Sequence, residues 1–221
     1  MRNNLFIALE GIDGSGKSTQ VKILSQKLIS MGHKIYTTFE PTDSVIGSII
    51  RNIMKGRINA DHKTIAGLFV ADRLDHLLNE VNGIVKKIEE GYTVITDRYY
   101  FSSYAYHGTH MDMDWVINAN AMSAEILRPD INIFIDVPPE TSINRLNSNR
   151  TTIELYETLE NLHNVRKKYF EAFDKLKHEE NISIINGDRS LEAISDDIWN
   201  EAFEMFKGQK FMKIRNFNEQ T

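Results

Sequence analysis

The sequence predicts an α/β fold in three layers, α/β/α, around a five-stranded parallel sheet. Two observations predict it. Five short runs rich in β-branched and aromatic residues, at 5–10, 35–39, 93–97, 131–137 and 182–185, alternate with longer segments of helical period. The runs are apolar without polar alternation, as strands covered on both faces must be. A chain of 221 residues with 41% hydrophobic and 26% charged residues supports one domain with a full core rather than a disordered or fibrous chain.

The elements follow in order. The first run ends at Glu10 and enters a glycine-rich loop. Residues 17–31 carry Val21, Leu24, Leu28 and Met31 on one helical stripe, and Gly32 supplies a stop. Residues 64–90 read as one helix, with Val70, Leu74, Leu77, Leu78, Val81, Val85 and Ile88 as its apolar stripe. Phe69, Arg73 and His76 fall together on a different face. Pro138-Pro139 breaks the chain before a helix at 140–147. Residues 154–176 and 191–206 read as amphipathic helices. No repeat or Pro/Gly-rich linker divides the chain. Residues 1–207 are therefore one domain, with a short lid at about 145–155. Residues 208–221 form a C-terminal tail, read as a partly ordered terminus or packing arm.

Lys plus Arg total 26 and Asp plus Glu 31, for a formal net charge of −5. That balance disfavours grip on a long nucleic acid through its phosphates. No nucleic acid polymer is expected as a partner. The absence of cysteine excludes thiolate metal sites, disulfides and cysteine nucleophiles, and suits a reducing compartment. No run reaches the roughly 18 apolar residues of a membrane helix. The apolar start at 5–9 is too short for a leader and ends in Glu10. The expectation is a soluble, cytoplasmic protein with no membrane partner.

The chemistry sits after the first strand, in Gly11-Ile12-Asp13-Gly14-Ser15-Gly16-Lys17-Ser18-Thr19. This is G-x-x-x-x-G-K-[ST], a P-loop, between a strand and a helix as the motif requires. Glycines let the loop wrap so that backbone N–H groups point at phosphate oxygens. The helix behind it presents a positive N-terminus. Lys17 is placed to bridge the β- and γ-phosphates, Ser18 to ligate magnesium (Mg2+), and Thr19 to reach the α-phosphate. The loop predicts a P-loop NTPase fold and a nucleoside triphosphate as ligand. It does not say what is done with the triphosphate. The guanine signature N-K-x-D is absent.

Ligands in parallel α/β sheets sit at the carboxyl ends of the strands. Asp97 ends the third run, where a hydrated magnesium ion would lie, and Arg98 beside it can clamp a phosphoryl group. Alone, such an Asp reads as a turn former; with the P-loop it reads as functional. Ser102, Ser103 and Tyr106 follow near the same edge. Phe69 and Arg73, one turn apart, can stack on a flat ring and hold a phosphate or carbonyl. The alternative is that Phe69 packs under a loop and Arg73 is solvated. Arg145 and Arg150 lie in a polar, basic stretch that can close over phosphates and exclude water.

These residues together resemble the thymidylate kinase family, nucleoside monophosphate kinases acting on dTMP. Besides the P-loop, the resemblance lies in Glu40-Pro41, in Phe69 and Arg73, in Asp97-Arg98-Tyr99 followed by Ser102 and Ala105-Tyr106, and in Arg128-Pro129-Asp130 before Asp136-Val137. It spans roughly residues 5–206. The resemblance implies transfer of the γ-phosphoryl group of ATP to dTMP, giving dTDP and ADP. It implies that Phe69 stacks on thymine, that Arg73 contacts the base or monophosphate, and that Arg98 holds the acceptor and transferred phosphates. Asp13 would bind the sugar 3′-hydroxyl, Tyr106 would press on C2′, and Ser103 would meet the base edge. Glu40, Pro41 and Ser102 join the dTMP side, and Arg145 the ATP side. Lys17, Arg98, Asp13 and Arg150 form the implied catalytic set, with Ser18 and Asp97 on the metal. Gly14 stands where some relatives carry an arginine, which shifts the load to Arg150. Leu155 replaces a frequent lid arginine, and His107 replaces a frequent Gln. Relatives are homodimers.

Two rivals stay open at this level. A deoxynucleoside kinase shares the P-loop and D-R pair but needs a carboxylate base at a neutral 5′-hydroxyl, and Glu40 is the candidate. A nucleotide-binding regulator would hydrolyse ATP slowly without any small acceptor.

Overall fold

The computed structural model describes residues 4–149 and 155–207, together with the backbone of 215–216. β1 (Phe6–Glu10) leads through the P-loop into α1 (Lys17–Ser30) and β2 (Ile35–Phe39). The chain passes through α2 (Val45–Met54), α3 (His62–Leu78) and α4 (Ile84–Glu89) to β3 (Thr93–Asp97). Next come α5 (Tyr100–His107), α6 (Met113–Ala119), α7 (Ala121–Ile126) and β4 (Ile131–Asp136). The chain continues with α8 (Pro139–Asn149), α9 (Leu159–Leu176), β5 (Ile182–Asn186), α10 (Leu191–Phe206) and a two-residue β6 (Arg215–Asn216). The sheet order is β2-β3-β1-β4-β5-β6, and every pairing is parallel.

Side chains alternate across each strand and so feed two cores. Phe6 and Ala8 of β1 join Val94, Phe134 and Ile182 on one face, closed by Tyr100, Tyr104, Tyr169 and Phe173 of α5 and α9. Ile7 and Leu9 join Ile95, Ile133 and Ile185 on the other, closed by Val21, Leu24 and Leu28 of α1 and Ile194 and Ile198 of α10. Both faces being covered accounts for the unbroken apolar runs. In the register, Leu9 lies opposite Asp97. The end of β1, which opens the P-loop, and the end of β3 therefore sit side by side.

The five predicted strands form the sheet, and β6 extends it beside β5. The tail contributes this short parallel ladder, and its remaining residues lie outside the described ones. Two helical expectations are corrected. The segment 64–90 is two helices, not one. Asn79 ends α3, its Oδ1 accepting from Val81 N at 3.0 Å and Asn82 N at 3.4 Å, and Gly83 starts α4. The stripe is kept only in part: Leu77 and Ile88 are buried and Val85 packs against the core. Ile65, Ala66, Asp72, Arg73, His76 and Leu77 face inward, while Leu78 and Val81 are 55% and 80% exposed. The polar residues turn inward because they find buried partners there. The helix expected from 154 starts at Leu159, capped by Thr158, whose side chain accepts from Asn161 N. The expected lid falls on the end of α8 and on 150–154, and those latter residues, Arg150 among them, lie outside the described ones. Among the described residues, no helix is long and apolar enough to cross a membrane.

Candidate active site

Two cavities open at the carboxyl edge of the sheet. The larger, about 990 Å³, is lined by the P-loop from Asp13 to Thr19, by Asp97 and Arg98, and by Arg145, Leu146 and Arg189. The smaller, about 90 Å³, is lined by Asp13, Pro41, Phe69, Arg98, Ser102, Ser103, Tyr106 and His107, with Met54, Tyr156 and Glu157. Among the described residues, only Asp13 and Arg98 line both.

The P-loop turns through Gly11, Gly14 and Gly16, all at positive φ. Gly14 is the most constrained. A Cβ there would stand 2.6 Å from Ser142 O and 2.9 Å from Ser142 Oγ of α8. An arginine at this position would have to displace α8, so its absence is built into the packing. Ser142 also donates through Oγ to Asp13 O, which ties α8 to the loop. Arg145, one turn on, donates from Nη2 to Gly187 O at 3.1 Å and stands at the larger cavity.

Lys17 is buried, and its ammonium donates to Gly11 O at 3.0 Å and Ile12 O at 2.9 Å. Burial, with the Arg98 charge adding to it, pushes this amine down to about 8. Ser18 Oγ lies 2.5 Å from Asp97 Oδ2. The pair offers two hard oxygen donors beside the cavity, the donor chemistry that Mg2+ prefers.

Arg98 holds a φ of 75°, the one positive φ among described non-glycine residues. Such a conformation costs about 1–2 kcal/mol for a residue with a Cβ. Backbone and carboxylate contacts hold it. Arg98 N donates to Leu9 O at 2.9 Å, Thr96 Oγ1 donates to Arg98 O at 2.8 Å, and Tyr99 N donates to Glu10 Oε1 at 2.8 Å. Its guanidinium then reaches Gly11 O, Ser102 Oγ, Asp13 Oδ1 and Tyr106 OH. Tyr106 OH donates in turn to Asp13 Oδ2 at 2.7 Å. Burial pushes the Asp13 carboxyl up, but Arg98, Lys17 and Tyr106 outweigh it and hold the group below its ordinary value.

Phe69 stands in the wall of the smaller cavity, 5.1 Å between centroids from the His107 ring. Arg73 is 1% exposed and does not line that cavity. Its Nε donates to Glu40 Oε2, its Nη2 to Glu40 Oε2 and Tyr99 O, and its Nη1 to Ser103 Oγ and Asn120 Oδ1. These bonds match the five N–H donors of a guanidinium. Arg73 lies behind the wall and orients Ser103 and Glu40. Glu40 Oε1 meets His76 Nδ1 at 3.1 Å, so both carboxylate oxygens are engaged.

The structure thus gathers residues 13–19, Asp97, Arg98 and Arg145 around one cavity, while Gly11 and Ile12, expected there too, do not line it. It gathers Asp13, Pro41, Phe69, Arg98, Ser102, Ser103 and Tyr106 around the other. Glu40 sits at the edge of the larger cavity with Arg73 behind. Sequence reasoning missed several supporting residues. Glu10, fully buried, also accepts from Ser102 and Tyr169. Asp72 accepts from Thr42 and Ser44 and fixes the turn after Pro41. Tyr156 closes one side of the smaller cavity, and no motif signals it.

A P-loop beside an Asp-Arg pair, facing a second pocket walled by an aromatic ring, defines a phosphotransferase of the nucleotide kinase class. The model of the thymidylate kinase family matches residues 9–198. A probable thymidylate kinase of Caldivirga maquilingensis is 36% identical, over 97% of this chain and 99% of its own. Those of Pyrococcus horikoshii and Methanocaldococcus jannaschii are 36% and 35% identical, over 87% and 90% of this chain and 93% and 95% of their own. The chain belongs to the thymidylate kinase family.

Proposed function

We propose that this chain carries out the reaction of its family, ATP-dependent phosphorylation of dTMP to dTDP, through the two cavities described. The observation that carries the assignment is the sharing of Asp13 and Arg98 by both cavities. A phosphate acceptor in the smaller one and a triphosphate in the larger one meet at that junction. An acceptor phosphate oxygen attacks the γ-phosphorus, a new P–O bond forms, and the bond to the β-phosphate oxygen breaks, releasing ADP. The acceptor is already anionic, so no general base is required. The protein's work is positioning and charge neutralisation. Lys17 would swing from its loop carbonyls to the β- and γ-phosphates. Arg98 would hold both phosphates, Arg150 would add charge from the lid, and Thr19 and Arg145 would hold the rest of ATP. Ser18 and Asp97 would hold Mg2+, which supplies charge neutralisation on the phosphates when bound. Phe69 would stack on thymine, Asp13 would bind the 3′-hydroxyl, and Tyr106 would press on the sugar.

The engagement of both Glu40 oxygens argues against its service as a base for a neutral hydroxyl, and so against a deoxynucleoside kinase. A homodimer is part of the proposal. Leu78 at the end of α3, Val81 in the turn after it, and Val45 and Ile49 on α2, which packs on α3, are exposed apolar residues that a partner copy would cover. Substrates that are free nucleotides suit a cytoplasmic setting. The test is ADP formation from Mg·ATP with dTMP, dUMP, dCMP, AMP, GMP or thymidine. Strong dependence on dTMP supports the assignment; ATP use that ignores every acceptor overturns it.

A further inference from the structure

Glu10 ends β1, directly before the P-loop, and is fully buried. It lines neither cavity, and the mechanism above does not use it. A buried carboxylate is a weak stabiliser of a fold, because its lost hydration offsets much of what its contacts return. Its partners point to a different task. Oε1 accepts from the backbone N–H groups of Tyr99 at 2.8 Å and Ser102 at 3.3 Å. Oε2 accepts from Ser102 Oγ at 2.6 Å and from Tyr169 OH at 2.9 Å. Four donors, three from the start of α5 and one from α9, converge on one anion.

The polarity of this cluster is fixed. Arg98 Nη1 donates to Ser102 Oγ at 3.0 Å. A guanidinium only donates and an ionised carboxylate only accepts, so the chain runs one way, from Arg98 through the serine hydroxyl to Glu10. Ser102 Oγ also lies 2.8 Å from Tyr169 OH, which stands 3.4 Å from Gly11 O of the P-loop. Burial holds the Tyr169 phenol well above its ordinary value, so it stays a neutral donor. Burial pushes the Glu10 carboxyl up as well. A proton on Glu10 would face one of four donors already aimed at it, so the packing fits the ionised form, with Arg98 as its nearby countercharge.

We propose that Glu10 is a positioning residue for phosphoryl transfer: braced by Tyr169 and two backbone N–H groups, it turns the Ser102 hydroxyl so that its oxygen accepts from Arg98 and aims the guanidinium at the junction of the two cavities. This rests on the reading of Arg98 as the clamp on the transferred phosphate. Ser102 then acts through Arg98 rather than by donating to the acceptor, since its one proton is directed at Glu10. A guanidinium left to wander would still carry its charge, but the alignment that the transfer needs would be lost.

The test combines initial rates with 15N spectra of the Arg98 guanidinium in the wild type, Glu10→Gln and Tyr169→Phe. Glu10→Gln keeps the shape but turns an amide N–H2 toward groups that donate. Its kcat should fall roughly 10–100-fold, the range of a lost charge-assisted hydrogen bond, with the KM for ATP little changed. Tyr169→Phe deletes one hydroxyl and keeps the ring against Phe134 and Phe173. Its kcat should fall about three- to ten-fold. Neither substitution should lower kcat further in an Arg98→Met background. Without substrate, the Arg98 Nη1 resonance should move in both single variants. Losses that add fully to that of Arg98→Met, or an Arg98 resonance that stays in place, overturn the proposal, and Tyr169→Phe decides it if Glu10→Gln does not fold. A wild type that forms no dTDP, with the Arg98 resonance moved in the variants, overturns the kinase assignment while supporting the hold of Glu10 on Arg98.

Discussion

Arg98 donates from Nη2 to Asp13 Oδ1 at 2.5 Å, so the two side chains common to both cavities are bonded to each other. The pairing keeps a cation at the junction before substrate arrives and aims it with Tyr106 at the same carboxylate. Arg98 pays for its unusual backbone by standing where no glycine could place a guanidinium. The carboxylate has lone pairs left over for a sugar hydroxyl.

That arrangement separates two effects of removing the charge. Asp13→Asn should lower kcat/KM for dTMP by roughly 10–100-fold, the range of a charge-assisted hydrogen bond. If the loss comes from the 3′-hydroxyl, wild type should lose a similar factor with a 3′-deoxy acceptor. The two losses should then not add when variant and analogue are combined. Full additivity would show that Asp13 acts through Arg98 alone.

The Glu40 and Arg73 pair is 2% and 1% exposed, with Nη2 and Oε2 2.5 Å apart. Breaking such a pair strands a buried charge and costs about 3–5 kcal/mol. Glu40→Ala should therefore lower Tm by on the order of 10 °C for a domain of this size. Replacing both residues by apolar ones should recover much of that loss. Glu40→Gln tests the rival chemistry: thymidine should remain a non-substrate, and dTMP turnover should survive in the folded fraction. Loss of a thymidine kinase activity on that substitution would make Glu40 a base after all.

The contrast between α3 and β1 shows what was legible in the sequence. The strand at Phe6–Glu10 and the P-loop behind it are contiguous, so period and motif identify them without knowledge of the rest of the fold. On α3, Arg73 and His76 look solvated to any periodicity argument. They are inside because Glu40, 33 and 36 residues earlier, meets them. Glu10 illustrates the same limit: its partners Tyr99, Ser102 and Tyr169 lie 89, 92 and 159 residues away. Such long-range bonds leave no local signature. Residues that line the two cavities were largely readable from motifs, and the residues that hold them were not.

The apolar residues left exposed on α2 and at the end of α3 give a prediction about assembly. Leu78→Glu or Val45→Glu places a charge on a face that the proposed dimer buries. An unpaired buried charge is expensive enough to dissociate a subunit contact. Light scattering after gel filtration should read about twice 25.5 kDa for the wild type and about 25.5 kDa for the variants. A wild type that elutes as a monomer removes the dimer from the proposal.

Lys17 separates function from stability most sharply. Its amine stands at about 8 rather than 10.5, which corresponds to on the order of 3 kcal/mol against the charged form in the folded protein. The unfolded chain binds this proton more tightly. Between pH 8 and 10.5 the unfolded state therefore carries more protons, and the wild type gains stability from this group as pH rises. Lys17→Met removes the penalty and also the bonds to Gly11 O and Ile12 O, so at pH 7 its Tm should lie within a few degrees of wild type. Toward pH 10 the wild type should improve relative to the variant. Turnover should fall at least about 100-fold at every pH, because a donor aimed at the transferred group is lost. Thermal denaturation at pH 7 and pH 10, paired with initial rates, reads both effects. A stability difference that does not change with pH would show that the buried amine is not held near 8, and wild-type turnover in the folded variant would remove Lys17 from the reaction.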